Sequence, residues 1–314
     1  MTGFIIRRLG QAIVVTLGVT LITFGLLHAL PGSLARDILG NRATPQAIDL
    51  FNHQNYLDRS VFVQYWHFLV RLAHGDLGYS YQFNRSVDSL LATELPRDVV
   101  LGGLSLVISL IIAIPIGIAQ AVKRNSVVDY AGTGVSFILY SMPQYAIALL
   151  LIQFLSISFH VFPAEAPQST SALGMLAHPK GLVLPVASLT LVTYAAFSRY
   201  MRSSAIDTLA QDYIRTARAK GLPERLVLWR HLLRNSLISV VTLVGLSVPL
   251  ILTGTLIIEQ VFNWPGAGLE YYQAALSNDY EVMLGITVLV GVVTVVGNLI
   301  ADIGYAILDP RIRY

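Results

Sequence analysis

The sequence contains no cysteine, which excludes disulfides, thiolate metal sites and cysteine nucleophiles. Charge is also scarce: Asp, Glu, Lys and Arg make up 12% of 314 residues, about half the share of an ordinary soluble domain. That deficit excludes a disordered chain, which needs high charge and low hydrophobicity, and argues against a soluble enzyme. No G-x-x-x-x-G-K-[ST] phosphate loop, H-E-x-x-H motif or G-x-S-x-G elbow is present. The fragments Gly132-Thr-Gly134 and Gly266-Ala-Gly268 are too short to mean nucleotide binding. His53, His67 and His74 match no zinc spacing, so no metal site is expected.

What is present is apolar sequence, at 54% of residues. Six stretches are long enough for bilayer spans of roughly 20 residues: 9–30, 99–122, 130–164, 181–198, 235–258 and 282–301. The third exceeds one span, so its helix is placed at 130–155. The fourth is expected to run on past Arg199, whose side chain can snorkel. The first stretch is longer than a typical signal core and no small-x-small site follows Leu30, so it reads as a retained helix.

Lys and Arg set the expected orientation. Fourteen of them fall before helix 1, between helices 2 and 3, between helices 4 and 5, and after helix 6; eight lie within 199–234 alone. The opposite short loops carry only Lys180. Both termini are therefore expected in the cytoplasm. The net charge of +3 follows this membrane pattern, which leaves the bilayer as a partner and nucleic acid as none.

The expected organisation is helix 1 at 1–30, an external insert at 31–98, a core of helices 2 to 6 at 97–308 and a tail at 309–314. In the insert, Thr44-Pro45 reads as a helix start. Phe62, Tyr65, Trp66, Leu69 and Leu72 form an amphipathic rhythm that Gly75-Asp76-Leu77-Gly78 ends. In the 199–234 loop, residues 207–220 lack Gly and Pro; Gly221 stops the helix and Pro223 restarts one. Leu226, Trp229 and Leu233 would form the apolar stripe of that second helix. Ala217 and Gly221 lie four apart and share a face that a partner could approach closely.

Within the spans, Gly3, Gly10, Gly18 and Gly25 recur on one side of helix 1, a stripe suited to close helix packing. Pro115, Pro143, Pro185 and Pro249 would kink four helices. Gln144, Tyr145 and Gln153 in helix 3 and Asp302 near the end of helix 6 are the candidate polar residues of a translocation path.

The run Asp212-Tyr213-Ile214-Arg215-Thr216-Ala217-Arg218-Ala219-Lys220-Gly221-Leu222, followed by Arg230-His231-Leu232-Leu233-Arg234-Asn235, resembles the cytoplasmic signature of binding-protein-dependent ABC importer permeases, in their dipeptide, oligopeptide and nickel branch. Of the general Glu-Ala-Ala-x-x-x-Gly signature only Ala217 and Gly221 match. Glu259 to Gly268, the ending Asp309-Pro310-Arg311-Ile312-Arg313-Tyr314 and Gly75 to Ser80 resemble further features of that branch and of its B-type subunit.

The resemblance implies an all-α integral membrane protein of the type I ABC importer permease fold, with six transmembrane helices, in a bacterial inner membrane. It implies a second homologous permease, ATPase subunits that hold ATP and Mg, and an extracytoplasmic solute-binding protein; the chain itself would catalyse nothing and carry no cofactor. Arg215, Thr216, Ala217, Arg218, Ala219, Lys220, Gly221 and Leu222 would couple to the ATPases. Phe262, Asn263, Trp264, Pro265, Gly266 and Gly268, in the outer loop 259–281, would meet the binding protein. Di- or oligopeptides are the expected cargo, with nickel, glutathione or haem-like compounds as alternatives. A secondary transporter should show inverted repeats around ion ligands, and an intramembrane hydrolase a nucleophile paired with a base; neither pattern is evident.

Overall fold

The computed structural model describes residues 2–29, 34–40, 43–253 and 255–308. In chain order the elements are α1 (Thr2–Ala29), α2 (Leu34–Leu39), α3 (Pro45–Gln54), α4 (Val61–Ala73), β1 (Tyr79–Ser80), β2 (Arg85–Ser86), α5 (Val87–Val122), α6 (Val127–Ser141), α7 (Gln144–Leu151), α8 (Ala172–Leu176), α9 (Pro179–Leu209), α10 (Asp212–Ala219), α11 (Glu224–Leu226), α12 (Arg234–Thr253), α13 (Leu256–Phe262), α14 (Ala267–Leu276) and α15 (Tyr280–Leu308). Two π-helical segments, Ile152–Ser158 and Val227–Leu233, continue α7 and α11. The expected tail at 309–314 lies outside the described residues.

Among the described residues α5, α9 and α15 are each long and apolar enough to cross a membrane, and α1 contributes a shorter apolar helix, Ile13–Ala29. The third stretch is not the single helix expected. It breaks between α6 and α7 with a bend of 103°. Met142 and Pro143 are both extended there, with ψ of 135° and 138°; the ring of Pro143 disfavours helical geometry at the residue before it. The fourth helix continues past Arg199 as expected, to Leu209.

The chain forms two compact units. The first comprises residues 1–96 and 265–295. Thr44 Oγ1 accepts the Ala47 N–H at 3.3 Å, with Pro45 opening α3, which is the cap the sequence signalled. Helix α4 packs on α1: Tyr65 donates to the Leu17 carbonyl at 3.1 Å, and Phe68 is buried with Phe24 and Leu27. Phe62 and Trp66 are exposed, so the expected amphipathic face is rotated towards Tyr65, Phe68, Leu69 and Leu72. Arg71 clamps Glu281 through one nitrogen at 2.8 and 3.0 Å. The β1–β2 hairpin, which the all-helical expectation omitted, pairs Tyr79 with Ser86. It hands the chain directly to α5, which begins at Val87.

The second unit comprises 97–264 and 296–314. Helix α9 packs against α6, α7 and α12. Helix α5 also approaches it closely: a Cβ on Gly117 would lie 2.8 Å from the Met201 Cβ and 2.9 Å from the Ser198 carbonyl. By contrast, a Cβ on Gly10, Gly18 or Gly25 would meet nothing within 4 Å, so the glycine stripe of α1 is no packing seam among the described residues. Buried serine and threonine hydroxyls turn back onto their own helices or reach across: Ser105 donates to Leu101 at 2.7 Å and Thr190 to the Ser105 carbonyl at 3.3 Å. Such small polar groups can hold apolar helices together, although the buried hydroxyls of Ser109, Ser136 and Ser198 have no hydrogen-bond partner among the described residues.

One ion pair pins α6 to α9. Arg202 donates twice to the buried Asp129, at 2.6 and 2.9 Å, and the Asn125 N–H adds a third bond at 3.0 Å. Removing one partner of a buried pair costs roughly 3–5 kcal/mol; the partial exposure of Arg202 puts this pair at the lower end. Asp129→Ala should therefore lower the thermal midpoint in detergent, and adding Arg202→Leu should restore part of the loss. An unchanged midpoint for Asp129→Ala would show that the pair holds nothing.

Candidate coupling corner and polar cavity

The connection between α9 and α12 is a small folded body. Its two stems are latched by hydroxyls. Ser204 donates to the Ser236 carbonyl at 3.1 Å, and buried Ser236 bonds Thr208 Oγ1 at 3.0 Å. Ser204 also bonds Ser239 at 3.2 Å. Above this latch α10 ends at Ala219, and Gly221 takes a left-handed φ of +74°, where any side chain is strained. Pro223 then precedes α11, as the sequence predicts.

The corner has its own core. Ile214, Ala217 and Val227 are buried together, with Leu209 and Leu222 packed against them. Ala217 is only 5% exposed, so its expected place on an open face is corrected: it faces the second arm of the corner. The exposed residues of α10 are Asp212, Tyr213, Arg215, Thr216, Arg218 and Ala219, followed by exposed Lys220 and Gly221 and half-buried Leu222. Tyr213 was missed, because an aromatic in a basic run gives no sign of which side it takes. Arg218 closes the turn onto Glu224 at 2.6 and 3.1 Å. The hydrogen bond from Arg218 holds the Glu224 carboxyl below its usual range, but an exposed pair like this contributes at most about 1 kcal/mol.

The second arm also departs from expectation. Leu226 and Trp229 are exposed, and Val227 and Leu232 are buried instead. The reason is the π geometry of Val227–Leu233: hydrogen bonds from i to i+5 bring residues five apart onto one face. An α-helical stripe at i, i+3 and i+7 assumes the wrong period.

The segment expected to meet a binding protein is divided in the structure. Asn263 is exposed, in the left-handed region at φ 49°, and Pro265 is half-buried. Phe262, Trp264, Gly266 and Gly268 are buried. The idea that Trp264 projects outward is corrected: its ring is 0% exposed, in the core with Phe262, Ile258, Leu101 and Leu184. The segment turns inward because α13 ends at Phe262, Asn263 reverses the chain in the left-handed region, and the Trp264 N–H returns to the Glu259 carbonyl at 2.8 Å. The Asn263 carbonyl accepts from Gln168 at 2.7 Å.

Of the candidate path residues, the structure groups only Gln144 with other polar groups. At the α6–α7 break a cavity of about 260 Å3 brings Gln144 together with Tyr140, Ser105, Thr193, Ser247 and Thr255. Tyr145 and Gln153 are exposed elsewhere, and the side chain of Asp302 lies outside the described residues. The hydroxyls of Thr193 and Ser247 donate to carbonyls one helical turn back, at 2.7 Å each. The cavity wall is mostly apolar, with Leu106, Leu189, Val192, Phe197 and Leu243, and its polar groups are hydroxyls and one carboxamide, with no charge. Buried Arg97, Asp98 and Glu259 were also missed as candidates, since each flanks an apolar run rather than interrupting it.

Long apolar helices and a compact basic corner together describe a helical membrane component. Comparison with known proteins agrees. Residues 113–314 match the family of binding-protein-dependent transport system inner membrane components, and residues 1–102 match the N-terminal region of the same kind of component. The whole chain is 37% identical to the oligopeptide transport system permease protein AppB of Bacillus subtilis, covering all of it. It is 32% identical to the dipeptide transport system permease protein DppB of Escherichia coli, covering 99% of that protein. The chain belongs to the family of binding-protein-dependent transport system inner membrane components.

Two substitutions separate core from surface here. Trp264→Ala empties a fully buried site and should cost roughly 3–5 kcal/mol, read as a lower thermal midpoint. A protruding tryptophan would leave the midpoint unchanged. Gly221→Ala forces a Cβ into the left-handed region at roughly 1–2 kcal/mol. It should loosen the corner and speed tryptic cleavage at Arg218 and Lys220, while the rest of the chain is cut at the wild-type rate.

Proposed function

We propose that this chain is one of two permease subunits of an ATP-driven peptide importer in a bacterial inner membrane. It would cross the membrane six times with both termini in the cytoplasm, α6 and the α7 arm together counting as one bent span. The reading rests on one observation above others: the corner between α9 and α12 is a compact knob with its own core and hydroxyl-latched stems, and its exposed residues include Tyr213, Arg215, Arg218 and Lys220. Separate ATPase subunits, holding ATP and Mg, would seat that knob in a groove. Their closure would push on α10, and the latch would pass the displacement to α9 and α12. A second, homologous permease would supply the other wall of the path. An extracytoplasmic solute-binding protein would deliver cargo near Asn263 and Pro265.

The peptide assignment follows the names of the relatives. The cavity chemistry is compatible with it, because neutral hydroxyls and a carboxamide can exchange hydrogen bonds with a peptide backbone of any sequence. Catalysis has no place in this chain; hydrolysis belongs to the ATPases.

Purification through a tag on this chain should recover a second permease and the ATPases. Tyr213→Ala and Lys220→Glu alter only the exposed face of the corner and should reduce peptide uptake more than tenfold at unchanged membrane abundance. Ala217→Glu should abolish uptake as well, but by breaking the corner's core, so its tryptic pattern should change. Arg225→Gln should do far less. Normal uptake by both surface variants would defeat the coupling role.

A further inference from the structure

Apolar residues of α5 line an open groove of about 650 Å3. Its long wall is α5, with Leu110, Ile114 and Ile118 among its residues. Its far wall is the π segment, through Leu228, Trp229 and Leu233. Two features mark one end. Lys123, one residue past the end of α5, lines the groove, is exposed and has no side-chain hydrogen bond or ion pair among the described residues. Trp229 stands at the mouth, 66% exposed.

We propose that this groove binds an anionic phospholipid of the surrounding bilayer, with an acyl chain along α5 and the phosphate at Lys123. The inference rests on the membrane embedding proposed above. The charge pattern selects this occupant. A purely apolar partner surface would bury Lys123 without a counter-ion, which is strongly unfavourable. A phosphate neutralises it while the chain fills the remainder, and juxtamembrane lysines attract anionic lipid in this way. Tryptophan is the side chain whose amphipathic ring sits at headgroup depth. Because the far wall is the second arm of the coupling corner, a bound lipid would brace that arm against α5. The π offset serves this arrangement: it turns Val227 and Leu232 inward and leaves Leu228 and Trp229 for the groove.

The test uses the intact complex, purified in mild detergent through a tag on this chain and examined by native mass spectrometry. Wild type should retain phosphatidylglycerol. Lys123→Ala should lower its retention about fivefold, the factor that one juxtamembrane cation contributes, without changing retained phosphatidylethanolamine. Ala119→Trp, which fills the groove, should remove the bound lipid; if that variant fails to fold, Lys123→Ala alone decides. A photo-crosslinking residue in place of Ile111 should label phospholipid. Labelling of another polypeptide there, or phosphatidylglycerol retention unchanged in Lys123→Ala, would overturn the proposal. Absence of ATPase chains from the same preparation would count against the importer reading and leave the lipid measurement standing.

Discussion

In a bilayer a backbone amide or carbonyl without a partner costs several kcal/mol, and no water is at hand to supply one. That constraint organises this chain. It explains why long helices dominate, with α5 running 36 residues and α9 31. It explains why the buried hydroxyls of Ser105, Ser188 and Thr190 end on carbonyls. It also governs where helices fail. At Met142-Pro143 the ladder is interrupted, and the chain bends by 103° instead of kinking gently. A cavity with a few polar groups opens beside that break, with Tyr140 before it and Gln144 after it in the lining.

The same economy shapes the corner between α9 and α12. A loop outside the apolar region has no bilayer to order it, so it must carry its own core. Ile214, Ala217 and Val227 provide one, Gly221 permits the reversal, and the Ser204, Thr208 and Ser236 hydroxyls join the stems. The proposed coupling role would use this: a flexible loop would absorb a push from a partner, whereas a packed knob on latched stems would transmit it to two long helices. The small size of Ala217 is then explained by the closeness of the two arms, not by the closeness of a partner.

Much of this was legible in the sequence. The uncharged runs marked the long helices, Thr44-Pro45 marked the start of α3, and Gly221-Leu222-Pro223 marked the corner. Three features were hidden for physical reasons. Periodicity assumes 3.6 residues per turn, and the π segment Val227–Leu233 breaks that assumption, exchanging Trp229 for Leu232 on the buried face. Composition cannot tell a turn that projects from one that folds back, so Trp264 read as exposed although the Glu259 carbonyl draws its backbone inward. A glycine stripe signals an opportunity for close approach, not a partner, and α1 meets none at Gly10, Gly18 or Gly25. Of the path residues whose side chains are described, only Gln144 lines the cavity, and Tyr145 and Gln153 are exposed.

The central claim is that the exposed face of α10 is seated in an ATPase. The chain has no cysteine, so one introduced at Lys220 is its sole thiol. Cross-linking from Lys220→Cys in native membranes, with a short thiol-to-amine reagent, tests the contact directly. The account predicts a single adduct with an ATPase subunit, with a yield that changes when a non-hydrolysable ATP analogue is added, and no such adduct from Asn263→Cys. An equal yield from both positions, or no ATPase adduct from Lys220→Cys in membranes that still import peptide, would contradict it.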